Sequence, residues 1–219
     1  MNKYNEFYLN SNLKNMNSIC NIEKIEFQKH QKFCRKWFEN GNSKLLLFHG
    51  LGSGKSLSSI FIAEGLLNSK QINHVYAVTP ASLRKNFENE LTMGLMSNTY
   101  NKLPTTYSII SYNKFVQMYE EDSLKLKNSL VIIDEVQNII SPTGKMYKIF
   151  FDALVTNEQR NSKVVLLSGT PMFDQPIDIA LTMNLLNVPD PFHIEKFSKE
   201  FLNENKMINQ SSFMKKVHP

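Results

Sequence analysis

The residues best suited to chemistry fall in two short stretches. The first is HGLGSGKS at 49–56, where Gly50, Leu51, Gly52, Ser53 and Gly54 precede Lys55 and Ser56. Glycines at this spacing allow successive backbone amides to close on an anion that a Cβ would hold away. A helix starting at Lys55 would direct the positive end of its dipole at the same anion. The Lys55 ammonium could then meet β- and γ-phosphate oxygens, and the Ser56 hydroxyl could ligate Mg2+. The stretch departs from the common GxxxxGK[ST] pattern at its first position, where His49 stands in place of glycine; His49 reads as a strand-end packing residue. The alternative, a glycine-rich turn with an accidental lysine, is disfavoured by the strand pattern before it and the helical pattern after it.

The second stretch is LVIIDEVQ at 130–137, four apolar residues ending in two adjacent carboxylates. Where a buried strand ends and the chain turns, both side chains can reach one crevice. Asp134 suits a magnesium ligand acting opposite Ser56, and Glu135 suits a group that orients or deprotonates an attacking water. The pair lies 79 positions after Lys55, as a second nucleotide motif should. A solvated acidic turn is the alternative for such a pair standing alone. Together the two stretches predict binding of ATP or GTP, without separating a kinase, a transporter ATPase and a motor.

These stretches need a scaffold, and the rest of the chain provides one. Short apolar runs at 44–49, 74–79, 106–111, 130–134 and 163–168 alternate with helical periodicity near 26–40, 56–68, 82–93, 112–120 and 145–155. Two-sided apolar strands alternating with helices imply a buried, mostly parallel sheet covered on both faces. A last helix is expected over 192–204. The expected organisation is an Asn-rich arm over 1–24 (seven asparagines in its first 21 positions), one α/β domain over 25–205, and a polar tail over 206–219. Hydrophobic residues at 42% and charged residues at 21% exclude a wholly disordered chain. No apolar run is long enough to span a bilayer and no signal-peptide core is visible, so an intracellular, non-membrane protein is expected. Cys20 and Cys34, 14 apart without His partners, read as reduced thiols. The net charge of +5 is compatible with a phosphate-rich partner but does not demand one.

Taken in order, HGLGSGKS, VTPASLRKNF, SIISYNKF, IIDEVQNI and LLSGTPMFDQP resemble the motif series of the first RecA-like motor domain of superfamily two helicases and translocases. The likeness is strongest to Swi/Snf-type ATPases and to the related ATPases of poxviruses and other large DNA viruses, and it covers roughly residues 27–205. It implies a RecA-like P-loop domain binding ATP and Mg2+, with Lys55, Glu135 and Gln137 as catalytic residues. It further implies that Gln31, 24 positions before Lys55, reads the adenine edge through an amide able both to give and to accept a hydrogen bond. Thr79, Pro80, Ala81, Ser82 and Arg84, with Lys85 beside them, match a segment that touches nucleic acid backbone; Ser111 and Tyr112 match the next. Gln137 stands where related motors often carry histidine; it can bridge to the next strand but cannot carry a proton. Ser168, Gly169 and Thr170 match the motif that couples the ATP site to the nucleic acid path. Residues 171–187 resemble the Swi/Snf-type continuation, with Asp174 and Gln175 departing from its polar pair.

The resemblance implies a nucleic-acid-dependent ATPase of the EC 3.6.4 type acting on DNA, or RNA, in viral-type transcription or remodelling. It would act in the cytoplasm of an infected host or in a virion. A second motor domain, in cis or in trans, would supply arginine fingers, and transcription machinery is a further expected partner. A non-hydrolysing ATP-switch module that binds DNA or a partner subunit is the competing expectation. A transporter-like or restriction-type nucleoside triphosphatase is less favoured, because it leaves 79–82 and 168–171 without a role.

Overall fold

A computed structural model describes residues 28–48, 50, 53–94, 104–156, 162–170, 175–186, 191–203 and 206–217 of the chain. The expected arm, Cys20, His49, Leu51, Gly52 and residues 171–174 and 187–190 lie outside them. Five strands form one parallel sheet: β1 (Lys44–Phe48), β2 (His74–Thr79), β3 (Tyr107–Ser111), β4 (Ser129–Ile133) and β5 (Lys163–Ser168), in the order β1-β5-β4-β2-β3. Each lies within a residue or so of its apolar run, because a parallel strand buried on both faces needs an unbroken apolar stretch.

Side-chain alternation splits the interior into two layers. Val75, Ala77, Leu130, Ile132, Val165 and Leu167 face one side. Helices α1 (Lys29–Glu39), α2 (Lys55–Asn68) and α3 (Arg84–Gly94) cover it, through Phe38, Ile62, Leu66, Phe87 and Leu91 among others. Tyr76, Val78, Val131, Ile133, Val164 and Leu166 face the other side. Helices α4 (Tyr112–Glu120), α5 (Lys145–Phe151) and α6 (Ile177–Leu185) cover it with Phe115, Phe150 and Leu181, the rings of Phe115 and Phe150 stacking at 4.4 Å. The expected α/β fold, with helices on both faces, is the one observed.

Docking of α1 on α2 uses one glycine. A Cβ at Gly65 would lie 2.5 Å from Arg35 Nε, so only the bare backbone leaves room for that guanidinium. The group sits 4.9 Å from the centre of the Phe61 ring and pairs with Glu39 at 2.9 Å. Burial pushes the Glu64 carboxyl above its ordinary value; the Tyr107 hydroxyl, donating to it at 2.7 Å, and the Arg35 charge pull it back. Helices α1 and α2 and edge strand β3 thus share one polar joint.

Three segments differ from expectation. Helix α6, buried on nearly all sides with Asp178, Thr182 and Asn184 among its buried residues, has no helical stripe and so no periodic signal. The expected helix over 192–204 is shorter, α7 (Ile194–Phe201), and leads into a hairpin of β6 (Leu202–Asn203) and β7 (Lys206–Met207). The segment expected as a polar tail holds β7 and helix α8 (Gln210–Val217), whose Phe213 is buried against Phe192, Phe197 and Phe201. One aromatic residue among polar ones suffices to dock a short helix, and composition averages hide it.

Candidate nucleotide site

The carboxyl ends of β1, β4 and β5 converge with the start of α2, the usual crevice for ligands in an open parallel sheet. Gly54 precedes α2 in the left-handed region, φ 74°, where a side chain is strained. A Cβ there would also come within 3.3 Å of Gln31 Nε2. That close approach places Gln31, 6% exposed, against the phosphate loop although 23 residues separate the two in sequence. Gln31 is further fixed by a capping box, its Oε1 accepting the Gln28 backbone N–H at 2.8 Å. Its assignment at the sequence level rested on resemblance; the fold now gives it a place beside the loop.

Lys55 is 9% exposed, more enclosed than a surface-loop lysine, and its ammonium donates to the Gly50 carbonyl at 3.3 Å. The Ser53 hydroxyl donates to the same carbonyl at 2.7 Å, and Ser56 opens the first turn of α2. Asp134 follows directly on β4, its N–H donating to the Val78 carbonyl at 2.9 Å, and is 8% exposed. Burial raises its carboxyl to about 6, Glu135 and Glu90 add to the rise, and Lys55 opposes it. The Asp134 carboxyl thus feels two like charges and one opposite charge, and a hard cation beside it would favour its ionised form. Glu90, on α3, is a contributor that the motif reading did not include.

Glu135 sits in the left-handed region, φ 51°, and the chain then winds through a 3-10 turn, Val136–Ile139. From Glu135 a polar path crosses the sheet. Gln137 Nε2 donates to Glu135 Oε2 at 2.6 Å, the Ser168 hydroxyl donates to Gln137 Oε1 at 2.7 Å, and the Thr170 N–H donates to Ser168 Oγ at 3.0 Å. The Gln137 amide therefore uses one end for each strand, the bridging expected of it. Ser168 is buried, Gly169 half-buried and Thr170 exposed, so the path runs from the interior outward.

The segments expected to touch nucleic acid also end side by side, Thr79 and Ser111 being register partners on β2 and β3. Their polar groups are largely engaged within the protein. Thr79 is fully buried and its hydroxyl donates to the Pro80 carbonyl at 3.1 Å, so its side chain does not reach the surface. Ser111 caps α4, accepting the Lys114 N–H at 3.2 Å. Arg84 and Lys85 both pair with Glu88, at 3.1 and 3.7 Å. Pro80 is half-buried, while Ala81 and Ser82 are exposed at the start of a 3-10 turn (Ala81–Leu83) that runs into α3. Tyr112, grouped with the nucleic acid segment by resemblance, turns inward instead: its hydroxyl donates toward the carbonyls of Asp134 and Glu135, the latter at 3.0 Å.

A cavity of about 490 Å3 opens elsewhere, among Tyr147, Leu181, Asn184, Phe192 and Lys196. Polar groups at its wall are already engaged: Tyr147 donates to the Leu181 carbonyl, and Asn184 bonds the Phe192 backbone twice. The nucleotide residues lie at the strand ends, away from it.

No protein-family model matches the chain. Among curated proteins it is 32% identical over 213 residues to a mimivirus protein (Acanthamoeba polyphaga mimivirus) named "Putative ATP-dependent RNA helicase", covering 84% of this chain and 36% of that one. It is 30% identical over 207 residues to nucleoside triphosphatase I of Choristoneura fumiferana entomopoxvirus, covering 88% and 31%. The chain thus spans about a third of the length of these relatives. Among solved structures, the SWI2/SNF2 ATPase core of Sulfolobus solfataricus, in complex with double-stranded DNA, matches with TM-score 0.65 and 18% identity over 87% of this chain and 42% of that one. These matches bear out the resemblance read from the motif series: the chain has the fold of a SWI2/SNF2 ATPase core and is similar in sequence to viral proteins named as a helicase and a nucleoside triphosphatase.

Proposed function

We propose that this chain binds ATP with Mg2+ and forms the first half of a nucleic-acid-dependent ATPase, a helicase or DNA translocase serving viral-type transcription or remodelling. The observation that carries the reading is the polar path Glu135–Gln137–Ser168–Thr170, which joins a water-activating carboxylate to an exposed strand end. A solvated acidic turn would have no reason to hold a half-buried glutamine bridge between strands.

In this reading Gln31 meets the adenine edge and the loop amides and Lys55 hold the β- and γ-phosphates. Ser56 and Asp134 would hold Mg2+, which when bound neutralises charge on phosphate oxygens. The donor chemistry fits: a hydroxyl and a carboxylate, oxygen only, the carboxylate held above its ordinary pKa by burial and relieved by a cation. Glu135 orients the attacking water and accepts its proton. Gln137, unable to take up a proton, reports the position of that carboxylate to Ser168. Arginine fingers would come from a second motor domain, in cis or in trans, and contribute on the order of 10³-fold in rate. This chain should therefore bind ATP well and turn it over slowly.

The nucleic acid would be held through its phosphates by the backbone amides and exposed residues at 81–82. The pairing of Arg84 and Lys85 with Glu88 favours a second reading, an ATP switch that docks a partner without turnover. Single-turnover hydrolysis at excess protein, with and without duplex DNA or single-stranded RNA, separates them. Under the motor reading Glu135→Gln slows hydrolysis by about a hundredfold or more with ATP affinity within about twofold. Hydrolysis by wild type that neither nucleic acid stimulates, and that Glu135→Gln does not slow, would reject it.

A further inference from the structure

Glu135 adopts a backbone conformation that few residues other than glycine tolerate, φ 51° and ψ 53°. The β4 ladder ends at Ile133, so the carbonyls of Asp134 and Glu135 are turned out of the sheet's hydrogen bonding. Asp134 itself is buried, and a buried carbonyl without a donor is costly. Both carbonyls accept from the hydroxyl of Tyr112, and that of Glu135 also accepts the Asn138 backbone N–H at 3.0 Å. The Asn138 side chain hydrogen-bonds that hydroxyl, and the Tyr112 ring meets Phe150 edge to face at 6.3 Å. The phenol is thus aimed by one neighbour and braced by another.

We propose that Tyr112 is a positioning residue for Glu135: its hydroxyl clamps the left-handed turn so that the Glu135 carboxylate stays on the polar path through Gln137. The inference rests on the role given to Glu135 above, yet it concerns a residue that touches neither nucleotide nor water. It has a second consequence. Tyr112 follows directly on Ser111, the end of β3, which is in register with Thr79. A shift of the β3–α4 junction, such as a partner bound at 80–82 and 111 could bring about, moves the donor that holds Glu135. The junction would then influence the carboxylate from the β3 side, independently of the path through Ser168.

The test is a double-mutant cycle on the whole chain. Tyr112→Phe keeps the ring and removes only the hydroxyl. Its single-turnover hydrolysis should fall about tenfold, in line with losing one well-placed hydrogen bond, while ATP affinity and thermal midpoint stay close to wild type. In the Glu135→Gln background the same change should have no further effect, since the group being positioned is gone. Amide exchange measured beside these rates should rise at residues 135–138 and stay unchanged in β4. Equal rate losses in both backgrounds, or unchanged exchange at 135–138, would overturn the inference. If Glu135→Gln itself leaves hydrolysis intact, the proposed function fails and the exchange result alone decides whether Tyr112 holds the turn.

Discussion

Two sets of polar residues stand at the same edge of the sheet and are organised in opposite ways. Around the phosphate loop and Asp134, charged groups are enclosed and face one another: Lys55 and Asp134 are each less than a tenth exposed, and Gln137 spends both ends of its amide within the site. At the ends of β2 and β3, charged groups are exposed and have been matched locally, Arg84 and Lys85 on Glu88, while the hydroxyls of Thr79 and Ser111 serve the backbone. Enclosed charge is held at high free energy and changes state when a ligand arrives; exposed, paired charge is almost inert. The first region is built to respond to a ligand, and the second to offer a shaped surface of amides.

Removing the central cation should break the contrast most severely. Lys55→Ala takes the one positive group from among Asp134, Glu135 and Glu90, and ATP affinity measured calorimetrically should fall by about a hundredfold or more. An unchanged affinity would remove the phosphate-loop assignment altogether. Because Lys55 is enclosed and favours the ionised form of Asp134, the substitution should also raise the pH at which Asp134 titrates.

Asp134→Asn should have the next largest effect, and on stability its sign is the less obvious one. The folded chain holds this carboxyl's proton up to about 6 against an ordinary 3.8. The associated stability is fully present below about pH 4 and lost as pH rises through about 6. At pH 7.5 an ionised Asp134 therefore costs the fold roughly 2–3 kcal/mol, and the amide, which cannot ionise, should raise the thermal midpoint by several degrees. The gain should shrink as the melts are repeated toward pH 5, and Mg2+ should cease to strengthen ATP binding. A midpoint that drops at pH 7.5 would show that Asp134 is not desolvated at all.

The smallest effect should come from the exposed pair. Arg84→Ala with Lys85→Ala frees Glu88 as it removes two cations, so the net local change is modest. Nonspecific affinity for two unrelated duplexes, on the order of 10⁻⁶ to 10⁻⁴ M for such contacts, should weaken by only a few-fold, equally for both, with a shallower salt slope. Anisotropy titrations at three salt concentrations check this. Identical slopes before and after would leave the amides at 81–82 as the whole of the contact.

What the sequence disclosed follows the same division. All five strands were legible because two-sided burial writes a continuous apolar run, and the two stretches proposed to hold nucleotide stand out because glycine spacing and a paired carboxylate at a strand end have few other uses. Helix α6 was not, since a segment buried nearly all round has no stripe to detect. Helix α8 was missed because a single phenylalanine, Phe213, carries its docking. The contact between Gln31 and Gly54 depends on how α1 lies on α2, and the inward turn of Tyr112 on where β3 ends relative to β4. Neither is written in any local pattern, as both are properties of the assembled sheet.

The Gly65 notch carries a consequence for how such a chain can drift over generations. With Arg35 lying where a Cβ would project, a side chain at 65 must first evict the guanidinium from Phe61 and Glu64, and an Arg35 lost alone leaves a gap over bare backbone. Either single step disturbs the helix that holds Gln31 at the phosphate loop. The two positions are therefore expected to change as a pair, with an intermediate in which Gln31 shifts from its place beside Gly54. Gly65→Ala should be rescued, not worsened, by a smaller residue at 35. A remote helix–helix contact thereby becomes a constraint on which sequences can be reached while Gln31 keeps its place at the loop throughout.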